Sequence, residues 1–368
     1  MNKLSGNKIT PNEAVYILIG IMLDLNIVSI ANALVPIAKQ TSWISALLGG
    51  VYPLYVGILA VFVSRKYPKD NILTLSKNIF GNIIGNILNF LFLISLMIYF
   101  CAGLSEVTII SRTYVVPFLS SLKIYVSILL LAAYTASKGL KTVSRICFFN
   151  FIGLITLIII SLGILRNGSL LNVSPVFGVS LKKIIAASRD SAYDYALMET
   201  VFLIYPLIED SKKIKTIVLK STAFIVIVYT WITFISIYYL GIDIIPKTIW
   251  AFVEVSRDIE IKNITNLRYL VLFILLFISI KSMSILYYLS LLILDNIKKI
   301  KNKPIVIFLI GILVIYVCKN YFKTLHDRNE ILEYAIPVIT IYNLSYVSVI
   351  SLVSLLKKDD IVGKKQKK

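Results

Sequence analysis

The chain has 368 residues; 58% belong to the AVILMFWYC set, only 15% are charged, and the mean hydropathy is +0.85. Soluble domains carry roughly 45–50% apolar and about 25% charged residues, so an ordinary soluble domain is excluded. The formal net charge of +19 does not describe a nucleic-acid surface, because the lysines sit at the ends of apolar runs, where they set topology and meet anionic lipid headgroups. The partner this charge implies is the bilayer, with no role for nucleic acid.

A helix crosses ~30 Å of hydrocarbon with about 20 mostly apolar residues. About ten such runs follow one another, near 14–38, 43–63, 83–110, 120–138, 142–165, 186–208, 216–240, 267–294, 304–321 and 335–356. The chain is therefore expected to be an all-α integral membrane protein, a single transmembrane domain over residues 1–368. The stretch from Lys69 to Asn82 is more polar and predicts a short interfacial helix between the second and third crossings. Ala31-Asn32-Ala33 has the form of a signal-peptidase site, and Lys3 and Lys8 that of a basic leader. Asp24 interrupts the apolar core such a signal needs, so the first run reads as an uncleaved helix.

Charge placement predicts the orientation. With the N-terminus inside, 23 of the 38 basic residues fall in cytoplasmic segments and 14 in external ones, while Lys281 lies within a helix. The excess puts both termini in the cytoplasm. An even number of crossings suggests two halves related as an inverted repeat, a common transporter architecture with its site at broken helices near the midplane.

Ionisable residues at depth carry the functional information, since each costs at least ~2.5–3.5 kcal/mol to insert and usually faces a cavity or a partner. Asp24, Glu199 and Lys281 fall near the centres of the first, sixth and eighth runs, and Glu106 toward the outer end of the third. They either line a site or form buried ion pairs that fix packing. Glu199 is the preferred partner for Lys281, with Asp24 the alternative. The polar run Leu23-Asp24-Leu25-Asn26-Ile27-Val28-Ser29 permits a local loss of helix, in which Leu25 and Ile27 would flank the apolar part of a ligand. Ser282 and Ser284 accompany Lys281, and Tyr195 and Thr200 accompany Glu199. The candidate ligand-binding set is thus Asp24, Leu25, Asn26, Ile27, Ser29, Glu106, Tyr195, Glu199, Thr200, Lys281, Ser282 and Ser284. A carboxylate, an ammonium and hydroxyls in an apolar setting suit a small zwitterion. Asp190 and Asp194 share a helical face and read as an outer vestibule or a solvated helix end. Pro206 removes one helical hydrogen bond and predicts a kink.

No catalytic, metal or cofactor constellation is visible. His326, the sole histidine, stands in a charged segment beside Lys323, Asp327 and Arg328. Cys101, Cys147 and Cys318 make no CxxC pattern and read as small apolar fillers. Gly81-Asn82-Ile83-Ile84-Gly85 has a spacing that permits close helix packing, with no nucleotide-binding context. An enzyme is not expected.

Several short motifs recur in an order that carries a resemblance. Ile9-Thr10-Pro11-Asn12-Glu13 opens the first helix; Trp43, Gly49-Gly50, Tyr67-Pro68 and Ile79-Phe80-Gly81 follow through the second helix and its loop. Tyr195-Ala196-Leu197-Met198-Glu199 precedes Tyr205-Pro206 and Lys212-Lys213, and Ile280-Lys281-Ser282-Met283-Ser284 precedes Leu286-Tyr287-Tyr288. In this order the chain resembles the spore-germination permease family, the B subunit of GerA-type germinant receptors. The resemblance implies a LeuT-like five-plus-five inverted repeat of the amino-acid/polyamine/organocation transporters, with halves near 10–165 and 184–357. It further implies a multi-pass protein of the spore inner membrane that works beside A and C receptor subunits and senses a small germinant such as an amino acid. An autonomous secondary transporter of the same superfamily is the alternative.

Overall fold

The computed structural model describes residues 8–176, 178–257 and 267–356. The expectations placed on Lys3 and on the orientation of the chain's two ends lie outside the described residues. Fourteen α-helices are present among the described residues. Seven helical stretches are long and apolar enough to cross a membrane, and three shorter apolar ones accompany them. Length and composition therefore return seven spans where the sequence pattern suggests ten. Three runs make up the difference: the first and the sixth are broken at mid-length, and the fourth is an unbroken helix of only 17 residues, Ser121–Ser137.

The first run is one of these. α1 (Pro11–Met22) is started by a capping box: the Thr10 side chain accepts from the Glu13 N–H and Glu13 accepts from the Thr10 N–H, which satisfies donors that a helix start leaves open. Pro11 at the first helical position suits this start. The helix ends at Leu23, which is extended. A 3₁₀ turn follows over Leu25–Val28, and α2 (Ile30–Ala38) resumes the path. α3 (Ser42–Gly49) and α4 (Val51–Lys66) form the second run.

α5 (Ile72–Tyr114) joins a short arm to a long one across Gly81, whose φ of 80° and ψ of 170° turn the chain. The short arm is helical, as expected for the polar stretch before Asn82. Gly85 lets the two arms meet, since a Cβ there would lie 2.7 Å from the Lys77 Cα. A buried polar node locks them. Ser76 and Tyr346 both donate to Asn89 Oδ1, at 2.8 and 2.7 Å, and Asn89 donates to the Leu73 carbonyl.

α6 (Ser121–Ser137) and α7 (Leu140–Ser161) follow. The sixth run is again broken: α8 (Leu181–Asp194) stops, Leu197 adopts a left-handed conformation with φ 73°, and a 3₁₀ turn over Met198–Thr200 leads into the short α9 (Val201–Ile204). The kink expected at Pro206 is a 3₁₀ turn over Tyr205–Leu207. α10 (Ile214–Leu240), α11 (Ala251–Arg257), α12 (Leu267–Ile297), α13 (Lys303–Tyr321) and α14 (Leu325–Leu356) complete the chain. α14 starts ten residues before the expected apolar run, so the charged segment around His326 is helical rather than loop.

α12 packs against α5, α6 and α7 at the centre of the bundle, and α1 against α7 and α10. The outward faces are apolar, as on α13, where Phe308, Leu309, Ile312 and Leu313 are all exposed. Faces of this kind belong in hydrocarbon. One inter-element strap closes an end of the bundle: Ile9 pairs in parallel with Ile208, donating to the Leu207 carbonyl and accepting from the Glu209 N–H. The Tyr205 hydroxyl then donates to the carbonyls of Tyr67 and Asp70. The motifs at 9–13, 67–68 and 205–206 are thereby one structural unit.

Gly81 supplies a direct test. Nothing lies within 4 Å of where its Cβ would be, so Gly81→Ala adds backbone strain alone. The expected destabilisation is about 1–3 kcal/mol, read as a lower melting temperature of the detergent-purified protein; an unchanged melting temperature would show the turn is not required.

Candidate functional site: a polar cavity between two helix breaks

A helix that stops inside a membrane leaves carbonyl groups that hydrocarbon cannot satisfy. At the end of α1 these are taken up by side chains from other elements. Lys281 Nζ, from the middle of α12, donates to the carbonyls of Gly20 and Leu23, the latter at 2.5 Å. The Tyr229 hydroxyl lies 2.9 Å from both the Met22 carbonyl oxygen and Asn26 Oδ1. Lys281 is fully buried, and a positive group at a helix C-terminus also opposes the helix dipole. The charge of Lys281 acts on Asp24 across the break. Asp24 Oδ1 and Ser282 Oγ are both buried without a hydrogen-bond partner among the described residues.

Asn26 joins this break to the second one. Its side chain donates to Asp194 Oδ1 at 2.9 Å and to the Asp194 carbonyl at 3.2 Å. Asp194 is the last residue of α8, so the two interruptions are bonded to each other. The vestibule or solvated-end reading of Asp194 is therefore corrected: only Asp190 is turned outward, beside the exposed Arg189.

Between the breaks, α5 and α14 lies a cavity of about 220 Å³. Asp24, Asn26 and Ser29 line it from the first break, and Tyr193, Asp194 and Leu197 from the second. α5 contributes Tyr99 and Glu106, and α14 contributes Arg328. Glu106 and Arg328 form an ion pair at 2.6 Å. Three carboxyl groups, of Asp24, Asp194 and Glu106, thus line the cavity with one guanidinium, an excess of formal negative charge. Such a wall suits a small ligand bearing an amine; Arg328 is held by Glu106, the Ala102 carbonyl and Asn329. The volume lies below the roughly 300–1,000 Å³ of drug-sized pockets, which sets the ligand's size.

Of the residues singled out from sequence, Asp24, Asn26, Ser29 and Glu106 line this cavity. The others do not. Leu25 points away from it into an apolar groove between α5, α6 and α12, and Ile27 is packed in the core. Tyr195 is buried with its hydroxyl on the Ala46 carbonyl at 2.8 Å. Thr200 bonds its own turn at the Leu197 carbonyl, and Ser284 bonds the Ile280 carbonyl one turn back. Lys281 and Ser282 stand behind the break. Glu199 is not the partner of Lys281: its Oε1 accepts from the Tyr52 hydroxyl of α4, while its Oε2 is buried without a partner among the described residues. The preferred pairing fails because the lysine is occupied by carbonyls of the first break, leaving Asp24 as the acid nearest in effect.

Tyr99 and Arg328 were not visible as site residues. The 22 tyrosines give no one of them distinction, and Arg328 sits among the charges around His326, where a solvated segment was expected. His326 itself is exposed, and the three cysteines are buried.

Two discontinuous helices facing each other across a polar cavity define a LeuT-like transporter fold. Solved structures of the same shape include the nucleobase-cation-symport transporter Mhp1 in a closed conformation with bromovinylhydantoin bound, at TM-score 0.70 and 13% identity over 96% of this chain and 80% of that one. A substrate-bound, outward-open Na+-coupled sialic acid symporter gives 0.65 at 14% identity, with the same coverage of 96% and 80%. MhsT with L-phenylalanine gives 0.64 at 9%, covering 97% and 94%. The spore germination protein family matches residues 8–327, and the chain belongs to this spore-permease family of multi-pass membrane proteins. Spore germination protein YndE of Bacillus subtilis (strain 168) is 24% identical over 275 residues, 72% of this chain and 73% of its own length. Spore germination protein GerQB of Bacillus cereus is 21% identical over 277 residues, 75% and 77% respectively.

The lysine at the break yields a second test. Lys281→Met leaves two carbonyls and Asp24 without their cationic neighbour, and losing one member of a buried polar pairing typically costs about 3–5 kcal/mol. The folded protein recovered from membranes is expected to fall, and adding Asp24→Asn is expected to restore protein level without restoring ligand response. Normal protein level together with a normal response in Lys281→Met would show that the break does not depend on this lysine.

Proposed function

We propose that this chain is a germinant-receptor B subunit that senses a small nutrient, an amino acid or a molecule of similar size and charge, in the cavity between the two helix breaks. The observation that carries this reading is that Asp24, Asp194 and Glu106 line one small cavity with Arg328 between the two helix breaks. The amine of a zwitterion would meet Asp24 and Asp194, and its carboxylate would compete with Glu106 for Arg328. Closing of the broken helices around the ligand would be the signal. The permease-like fold supports binding rather than enzymatic chemistry. The halves near 10–165 and 184–357 would carry one broken helix each.

In this reading the protein sits in the spore inner membrane and works beside A and C receptor subunits. Membership of the spore germination family and similarity to GerQB support it. The fold shared with symporters also keeps open an autonomous transporter of amino acids or amines using the same cavity.

Spores lacking the gene are expected to lose germination toward one class within a panel of amino acids, nucleosides, sugars and salts, and Asp24→Asn spores with normal protein level should show the same loss. Unaltered germination across the panel would remove the receptor reading. Uptake of the responsive compound by proteoliposomes of the purified chain would favour the transporter instead.

The proposed orientation places Lys212, Lys213 and Lys215 in the cytoplasm. A cysteine introduced at position 213, which is exposed between α9 and α10, is expected to resist a membrane-impermeant maleimide added to intact cells and to react after permeabilisation. Labelling from outside would invert the topology.

A further inference from the structure

A second cavity, larger than the polar one, lies on the side of the bundle. A groove of about 830 Å³ opens laterally between α5, α6 and α12. Its floor is buried and apolar, with Val107, Ile110, Ile128 and Leu275 contributing to it. Its rim is the exposed outer face of the same helices, where Leu122, Leu131 and Phe273 would touch lipid chains. Polar groups in its lining are few: Ser111, Ser127, the Tyr269 hydroxyl and Lys123. The Ser127 hydroxyl is already spent on the Lys123 carbonyl one turn back, at 2.9 Å.

The charge is concentrated at one end. Lys123 is exposed in the first turn of α6, and its amine has no hydrogen-bond or ion-pair partner among the described residues. Two residues before it, Ser121 accepts from Arg112 at 3.1 Å, so a second cation lies beside the same rim. Arg268, at the start of α12, stacks its guanidinium 4.1 Å from the Tyr114 ring. The acid facing this cluster is Glu254, which accepts from the Tyr114 hydroxyl at 3.0 Å. A long apolar trough that ends at a lysine without a partner among the described residues, with Arg112 beside it, has the amphipathic plan of one kind of molecule.

We propose that the lateral groove between α5, α6 and α12 is a binding site for an anionic phospholipid, with acyl chains in the trough and the headgroup phosphate against Lys123 and Arg112. Hydrocarbon in the trough covers apolar surface that the bundle leaves open, and the basic end selects negative headgroups from the mixture. The site is distinct from the polar cavity but shares a wall with it. Leu25 lies in the groove lining, whereas its neighbours Asp24 and Asn26 line the cavity. A lipid seated here touches the same broken segment from the opposite side.

The test uses the full chain, purified and reconstituted in phosphatidylcholine nanodiscs carrying a trace of lipid with a photo-activatable acyl chain. Phosphatidylglycerol and phosphatidylcholine versions of that probe are compared at equal amounts, and crosslinked residues are mapped by mass spectrometry. The phosphatidylglycerol probe is expected to label the groove walls on α5, α6 and α12 several-fold more than the phosphatidylcholine probe. Excess unlabelled phosphatidylglycerol should remove this labelling, and excess phosphatidylcholine should not. Lys123→Gln is expected to bring the two probes level, and Ser127→Trp, which fills the trough from an exposed position, to abolish groove labelling by both. The proposal is overturned if the wild-type chain labels equally with the two probes. It is equally overturned if labelling in the groove does not exceed that on the lipid-facing side of α13, around Phe308 and Ile312. Because the wild-type comparison stands alone, a variant that fails to fold does not rescue it.

Discussion

Everything near the centre of this protein follows from the cost of ending a helix in hydrocarbon. Each carbonyl released at the end of α1 must find a donor, and water is scarce at that depth. Lys281 answers for Gly20 and Leu23, and Tyr229 for Met22. Half-helix ends and unwound carbonyls are where membrane transporters hold soluble cations; here a side chain of the protein fills that role. The amine is tethered, so the break is held by covalent connection to α12 rather than by an ion that must be recruited.

That arrangement explains why the polar cavity exists at all. Once α1 and α8 stop, their ends are free to turn polar groups inward, and the Asn26–Asp194 bonds fix one break against the other. A change at either partner would therefore act on both broken helices together. The strap between Ile9 and Ile208 ties the start of α1 to the exit of the second broken run. Motion at the cavity would reach that end of the bundle through two short helical pieces, without needing the long helices α5, α12 and α14 to bend.

The left-handed conformation of Leu197 belongs to the same logic. A non-glycine residue there costs of order 1–3 kcal/mol and persists only where its surroundings enforce it. Its carbonyl is held by the Thr200 hydroxyl and N–H, and Leu197 itself lines the cavity. The strain sits at the point where the second break faces the polar cavity, next to Asp194.

Much of the architecture was legible from one-dimensional pattern. A membrane-spanning helix needs a long apolar run, and that requirement is local, so α6, α10, α12 and α13 begin and end within a few residues of the runs read from sequence. The polar stretch at Asp24 is equally local, and it marks a real break in the first helix. Pairing is not local. Sequence offers Lys281 two acids and cannot choose between them, because the choice depends on which helix end lies opposite; the structure puts the carbonyls of α1 there and sends Glu199 to Tyr52. Arg328 reads as a solvated charge until α14 begins early enough to set it against Glu106, and Leu25 reads as a ligand contact until the turn at the break aims it at the lipid-side groove. Composition and periodicity determined that this chain crosses a membrane as helices with costly charges at their centres. Which charge meets which group was decided only by packing, since electrostatic and hydrogen-bond partners are set by distances of a few ångströms between segments more than a hundred residues apart.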